Sequence, residues 1–173
     1  MSQIILVTGG ARSGKSRLAE GLAERFGSPL GYIATATAGD DEMSARISRH
    51  QARRGAAWQT LEEPLDLGGV IAGHDGYFSA MLVDCVTLWL TNLLLQHEDP
   101  ALVLTTARHL VVQCSGLQTP VVFVSGEVGM GIVPENELAR TFRDLAGEVN
   151  QLLADAAAEV YLSIAGIPLK IKG

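Results

Sequence analysis

The stretch Gly9 to Ser16, reading GGARSGKS, limits what this chain can fold into more than any other feature. Gly9, Gly14, Lys15 and Ser16 stand at phosphate-loop spacing, preceded by the strand-like ILVT and followed by an amphipathic helical pattern from Lys15 to Phe26. Glycines let successive backbone N–H groups turn inward around phosphate oxygens, and the start of the helix adds its partial positive charge. Lys15 then reaches the outer phosphates, while the Ser16 hydroxyl can ligate Mg2+. The rest of the loop, Gly10, Ala11, Arg12 and Ser13, lines the same cradle. A nucleoside triphosphate held by its phosphates is the first expectation, and a strand–loop–helix unit of this kind belongs in an α/β fold.

The remaining sequence agrees with that class. Short aliphatic and β-branched runs recur at Gln3 to Thr8, Leu30 to Ala34, Ala80 to Asp84, Val121 to Ser125 and Val160 to Ile164. They are nearly continuous rather than alternating, as expected of strands buried on both faces. Helical patterns lie between them at Lys15 to Phe26, Asp41 to Arg54, Thr87 to Gln96, Pro100 to Ser115 and Glu135 to Ala158. Strands alternating with helices predict a mostly parallel central sheet flanked by helices. In SIAGIPLKIK, Gly166 and Pro168 are placed to reverse the chain into an antiparallel C-terminal edge strand. Glycine-dense loops are expected at Ala36 to Asp40 and Gly126 to Pro134, after strands and at the edge where α/β sheets bind ligands.

With 173 residues, 47% hydrophobic and 18% charged, residues 1–173 fit one domain with a sizeable core. Nineteen acidic against 13 basic residues give a formal charge of -6. No general basic surface is present to displace counterions from a nucleic acid, so no nucleic-acid partner is expected. Cys85 and Cys114 follow apolar runs without a CxxC spacing, and read as small core residues in a reducing compartment. No apolar run has membrane-spanning length and the N-terminus lacks a signal-peptide pattern, so the expectation is a cytoplasmic protein.

A phosphate loop of this kind works with a carboxylate at the tip of a neighbouring buried strand, and Asp84 in AMLVDCVT has that placement. A second reading of Asp84 is an N-cap for the helix that follows. In DDEMSARISRHQARR, Arg46, His50 and Arg54 recur every four residues on one helical face, with Arg53 beside them. Cations that close would keep the imidazole neutral, hence nucleophilic, and offer forks to phosphate oxygens. The same pattern is also that of a solvated basic face, and spacing alone does not separate the two. His74, His97 and His109 have no such company. Glu62 and Glu63 after WQT are either ligands for a ribose, base or metal, or the start of a turn or helix. Lysine occurs only at Lys15, Lys170 and Lys172, so the Asn/Thr-Lys-x-Asp guanine motif of switch GTPases is absent.

Taken together, ILVTGGARSGKSRLAE, YIATA, DDEMSARISRHQARR, WQTLEEP, VDCVTLWLTNLL and GEVGMGIVPENELARTFRDLAGEVNQLLA resemble the bifunctional adenosylcobinamide kinase/adenosylcobinamide-phosphate guanylyltransferases of cobalamin biosynthesis. The likeness runs nearly end to end. GMGIVPEN, RTFRDLAGEVNQ and the RIxxH helix are far more specific than the phosphate loop.

The resemblance implies a RecA-like P-loop NTPase fold and two reactions. The aminopropanol hydroxyl of adenosylcobinamide is phosphorylated, and GMP from GTP is then transferred to that phosphate with loss of pyrophosphate. It implies His50 as the nucleophile that carries GMP, with Lys15 in both reactions. It also implies nucleotide contacts at Gly9 to Ser16, at Ala34, Thr35 and Ala36, at Gln51, Ala52, Arg53 and Arg54, and at Glu62 and Asp84. Ser16 and Asp84 become the Mg2+ ligands. GTP, with ATP as the alternative phosphoryl donor, a corrinoid substrate and a homotrimer complete the implied set. Arg49 stands where some members carry a second histidine, which leaves His50 as the nucleophile candidate on that helix. No general base for the kinase step is identified by these motifs.

Overall fold

The structure is a computed structural model that describes residues 3–36 and 55–173. Its elements run β1 (Ile4–Gly9), α1 (Lys15–Glu24), β2 (Leu30–Ala34), β3 (Trp58–Glu62), α2 (Leu67–Gly73), β4 (Ala80–Asp84), α3 (Val86–His97), α4 (Pro100–Ser115), β5 (Val121–Gly126), α5 (Glu137–Ala156), β6 (Glu159–Ile164) and β7 (Ile167–Lys172). The strands form one seven-stranded sheet in the order β3-β2-β4-β5-β1-β6-β7. Every pairing is parallel except that of β7 with β6.

The aliphatic strands are buried because helices cover both sheet faces. Ile5, Val7, Tyr32, Leu82 and Val124 pack with Ala19, Leu22 and Ala23 of α1. Ile4, Leu6, Ile33, Met81 and Phe123 point the other way, into a larger core completed by α2, α3, α4 and α5. Trp89 of α3 is buried there and donates its indole N–H to Leu65 O at 2.7 Å. Local chemistry sets the helix starts. Asp99 accepts from the N–H groups of Ala101 and Leu102 ahead of Pro100 at the first turn of α4, and Asn136 accepts from Ala139 N ahead of α5.

Three departures from the sequence reading have physical causes. Trp58–Glu62, where no strand is expected, is the edge strand β3, paired in register with β2 from Leu30↔Trp58 to Ala34↔Glu62, so that Glu62 ends a strand and the turn expected at this pair begins only at Glu63. Leu67–Gly73 forms the unexpected helix α2, because Asp66 caps it through Gly69 N–H and because Leu67 and Ile71 are buried in the core. The C-terminal reversal is made by Ala165 and Gly166, both at positive φ (52° and 80°), as a two-residue hairpin turn with primed geometry requires. Pro168 instead lies within β7 opposite Ser163, where an edge strand tolerates its missing N–H. The helix expected at Asp41 to Arg54 lies outside the described residues, as does the loop from residue 37 to 40.

Candidate active site

β1 delivers the chain to the carboxyl edge of the sheet, and the phosphate loop begins on its last residue, Gly9. No side chain fits there, since a Cβ would stand 2.3 Å from Ser163 O and 2.8 Å from Ser13 Oγ. Gly14 precedes α1 at φ 96°, where its own Cβ would approach Gly166 Cα at 3.2 Å. Glycine at these two positions is therefore demanded by the close approach of the β6–β7 turn as well as by the phosphates.

That turn acts as a backing for the loop. Ser13 O accepts hydrogen bonds from Gly166 N–H at 2.8 Å and from the buried Ser163 hydroxyl at 2.7 Å. On the other side, Glu127 N–H donates to Gly9 O at 2.9 Å, linking the loop to the end of β5. Ser13 N–H donates to Gly10 O at 3.3 Å, which tightens the loop ahead of α1, and the partial positive charge at the start of that helix favours an anion. Gly14 provides no side-chain cap and the first turn of α1 holds no acidic residue, so nothing there competes with a phosphate. Lys15 Nζ lies over the loop, donating to Gly10 O at 2.5 Å and reaching Ser13 Oγ at 3.5 Å.

The second half of the site comes from neighbouring strand ends. Parallel register places Ala34 level with both Glu62 and Asp84, and Asp84 level with Val124 of β5. Asp84 shares the strand parity of Ala80 and Leu82, so its carboxylate belongs to the α1 side of the sheet, the side of Lys15 and Ser16. One strand, β5, separates it from the phosphate-loop strand. Its Oδ2 accepts from the Tyr32 hydroxyl at 2.8 Å. The Tyr32 ring is held edge-on by Trp58 at 6.2 Å, and Trp58 Nε1 donates to Glu24 of α1 at 3.3 Å. The capping alternative for Asp84 falls, because Cys85 is the N-cap of α3 and makes no side-chain capping bond.

Asp84 and Ser16 offer hard oxygen donors on one side of the sheet. Among the described residues no group of three or more His, Cys, Asp or Glu forms a metal cage. Hard oxygen donors of this kind suit an ion such as Mg2+, which keeps waters and rarely needs a dedicated protein shell.

The other expected contacts divide by environment. Glu62 ends β3 exposed at the rim, whereas Glu63 folds back to accept from Leu65 N at 2.9 Å and Asp66 N at 2.8 Å. Thr35 is fully buried, and its hydroxyl bridges the backbone of Cys85, donating to O at 2.9 Å and accepting from N–H at 2.8 Å. Ala34 O accepts from Glu63 N–H at 2.9 Å. Ala34 and Thr35 thus shape the floor between β2 and β4, and Ala36 follows at the rim. Arg46, Arg49, His50, Gln51, Ala52, Arg53 and Arg54 lie outside the described residues.

Three residues near the loop and Asp84 are not singled out by the sequence, Tyr32, Ser163 and the loop residue Glu127, and Gly166 is expected there only to reverse the chain. The loop after β5 is held by Arg143, which donates to Gly129 O at 2.7 Å, and by Arg140, which donates to Pro134 O at 3.1 Å. Tyr32 had one signal, an aromatic hydroxyl at the same parity as Asp84 in a strand otherwise aliphatic. Neither cysteine is in a disulfide, and burial pushes the Cys114 thiol up to about 12, which fits a core residue rather than a reactive one.

Comparison with solved structures supports the fold. The KaiC-like protein PH0186 from Pyrococcus horikoshii superposes with a TM-score of 0.51 at 10% identity, over 92% of this chain and 70% of that one. Among curated proteins, the bifunctional adenosylcobalamin biosynthesis protein CobP of Pseudomonas aeruginosa is 48% identical over 169 residues, covering 97% of this chain and 96% of its own. The CobU proteins of the same description from Escherichia coli and Salmonella typhimurium are 45% and 46% identical, each covering 98% of this chain and 99% of its own. The family model described as cobinamide kinase / cobinamide phosphate guanyltransferase matches residues 5–171. A phosphate loop facing a strand-tip carboxylate, in a chain matched over nearly its whole length, makes this protein a member of the cobinamide kinase / cobinamide phosphate guanyltransferase family.

Proposed function

We propose that residues 1–173 act as one domain that phosphorylates adenosylcobinamide with a nucleoside triphosphate, and then moves GMP from GTP onto the product to give adenosyl-GDP-cobinamide and pyrophosphate. The observation that carries this reading is the pairing of the Gly9–Ser16 cradle with Asp84 on the α1 side of the sheet. It is a geometry for holding a triphosphate with its outer phosphates open to an acceptor.

In the kinase step the acceptor hydroxyl attacks the γ-phosphorus. The new O–P bond forms as the β–γ bridging bond breaks, its electron pair leaving on the nucleoside diphosphate. Lys15 and the loop N–H groups stabilise charge on the phosphate oxygens. Ser16 and Asp84 would hold Mg2+, which supplies charge neutralisation across the phosphates. Tyr32 keeps the Asp84 carboxylate turned toward that position.

In the second reaction, the imidazole of His50 attacks the α-phosphorus of GTP and pyrophosphate departs over Lys15. An oxygen of adenosylcobinamide phosphate then attacks the same phosphorus, the P–N bond breaks and His50 is regenerated. Arg46, Arg53 and Arg54 keep the imidazole neutral and accompany the phosphates, while Gln51, Ala52, Glu62 and Ala36 complete the nucleotide contacts. The support for His50 is the match of the RIxxH motif in a chain of this family. ATP or GTP serves as phosphoryl donor in the first reaction and GTP in the second. A homotrimer in the cytoplasm, with substrate sites between subunits, belongs to the same proposal.

The test is His50→Asn. It is expected to abolish protein labelling by GTP tagged at the α-phosphate while sparing phosphorylation of adenosylcobinamide. Retained label removes His50 from its role.

A further inference from the structure

The kinase step needs a group to receive the proton of the acceptor hydroxyl, and the motifs singled out above do not provide one. β5 is the strand between the phosphate-loop strand β1 and the Asp84 strand β4. Asp84 is level with Val124, and Gly9 with Gly126. β5 therefore continues past the level of Asp84, and the next residue, Glu127, follows at the carboxyl edge of the sheet, beside Gly9 at the end of the phosphate-loop strand. Its place is fixed by its own N–H, which donates to Gly9 O at 2.9 Å.

The side chain is equally constrained. Glu127 Oε1 accepts from Gly129 N–H at 2.6 Å, which makes a tight local turn. Arg143 holds that turn from the other side through Gly129 O at 2.7 Å. Among the described residues no basic side chain pairs with Glu127, and Oε2 accepts no hydrogen bond. A half-buried carboxylate with one oxygen anchored and one open is suited to take a hydroxyl proton. Just beyond it the loop turns Met130 and Ile132 outward, 82% and 96% exposed, which gives a large acceptor apolar surface beside the carboxylate.

The geometry points to Glu127 as the catalytic residue that binds the acceptor hydroxyl and receives its proton in the phosphoryl-transfer step. Oε2 hydrogen-bonds the alcohol and takes its proton as the oxygen–phosphorus bond forms. The nucleoside diphosphate leaves with the electron pair of the broken bridging bond, so protons and electrons balance without a further reactant. The GMP-transfer step has a phosphate oxygen as its acceptor, carries no such proton and does not use this carboxylate. The assignment rests on the kinase reading above.

Glu127→Gln isolates the charge, because its amide oxygen still accepts from Gly129 N–H and preserves the turn. Two assays on the full-length protein are needed: phosphorylation of adenosylcobinamide, and GMP transfer to adenosylcobinamide phosphate supplied ready-made. The kinase kcat is expected to fall roughly 100-fold or more with the nucleotide KM unchanged. GMP transfer is expected to lose far less than phosphorylation does, and Glu127→Asp should recover part of the kinase activity. Glu127→Gln with a normal kinase rate overturns the assignment alone, and equal loss of both activities does so too by making Glu127 a support of the loop. Wild-type protein that transfers GMP but cannot phosphorylate adenosylcobinamide overturns the kinase reading and the assignment with it.

Discussion

Asp84 acts with Tyr32. A hydroxyl buried in the sheet and directed at one carboxylate oxygen fixes the orientation of the Asp84 carboxylate, and the proposed function gives its other oxygen to Mg2+. Removing that donor from a charged acceptor costs about 1.5–3 kcal/mol of hydrogen bonding. Tyr32→Phe should therefore raise the Mg2+ concentration needed for half-maximal kinase activity severalfold, while metal-free nucleotide binding, measured by calorimetry, stays as in wild type. An unchanged Mg2+ requirement would detach Tyr32 from the metal site. Lys15→Ala is expected to lose both reactions, since one cradle holds the triphosphate in each. A variant that still phosphorylates adenosylcobinamide at the normal rate would mean that the loop is not shared. At this scale the sequence was explicit about Gly9, Gly14, Lys15, Ser16 and Asp84, whose spacing and strand context carry their chemistry. It was silent about Tyr32 and Ser163, whose bonds span 52 and 150 residues of chain and exist only once the strands are ordered.

Among the elements, the β6–β7 hairpin has two jobs at its two ends. Its turn supports the phosphate loop through Ser13 O, and its base is tied down by Glu159. Glu159 accepts from the Tyr161 hydroxyl at 2.5 Å and from Gln3 at 3.0 Å, and pairs with Arg25 at 3.2 Å and Lys170 at 3.3 Å. The Tyr161 hydrogen bond first, then Lys170 and Arg25, hold its carboxyl below the ordinary value of 4.5 despite partial burial. A depressed carboxyl pKa means stability that is fully present above the ordinary value and lost as pH falls through the folded one. Glu159→Gln should thus lower the thermal midpoint at neutral pH, with the gap to wild type closing as the medium is acidified below the usual glutamate range. A gap that persists in acid would assign the effect to packing rather than charge.

Elements legible in sequence were those whose burial is two-sided. Leu30 to Ala34 and Ala80 to Asp84 were bounded correctly because nothing polar interrupts them before the site. β3 was missed because an edge strand covered on one side only can carry Gln59, Thr60 and Glu62, which blurs its pattern. α2 was missed because LGGVIAG has poor helix propensity, and its cap and two core side chains decide the outcome.

For the whole molecule, the sheet is what brings the two halves of the site together. Phe123, fully buried on the central strand β5, packs beneath both the phosphate-loop strand and the Asp84 strand. Phe123→Ala should cost about 3–5 kcal/mol in urea unfolding. A loss below about 1 kcal/mol would mean that the core refills the space, against the ordinary behaviour of close-packed interiors. One phosphate cradle is thus expected to serve chemistry at two different phosphorus atoms. The most direct measurement supplies adenosylcobinamide with GTP labelled at either the α- or the γ-phosphate, and follows label in protein and corrinoid for wild type and Lys15→Ala. The expected result is γ-label in the corrinoid, α-label passing through an acid-labile protein adduct into the corrinoid, and both routes closed in Lys15→Ala. Transfer of either label at the normal rate by Lys15→Ala would contradict it.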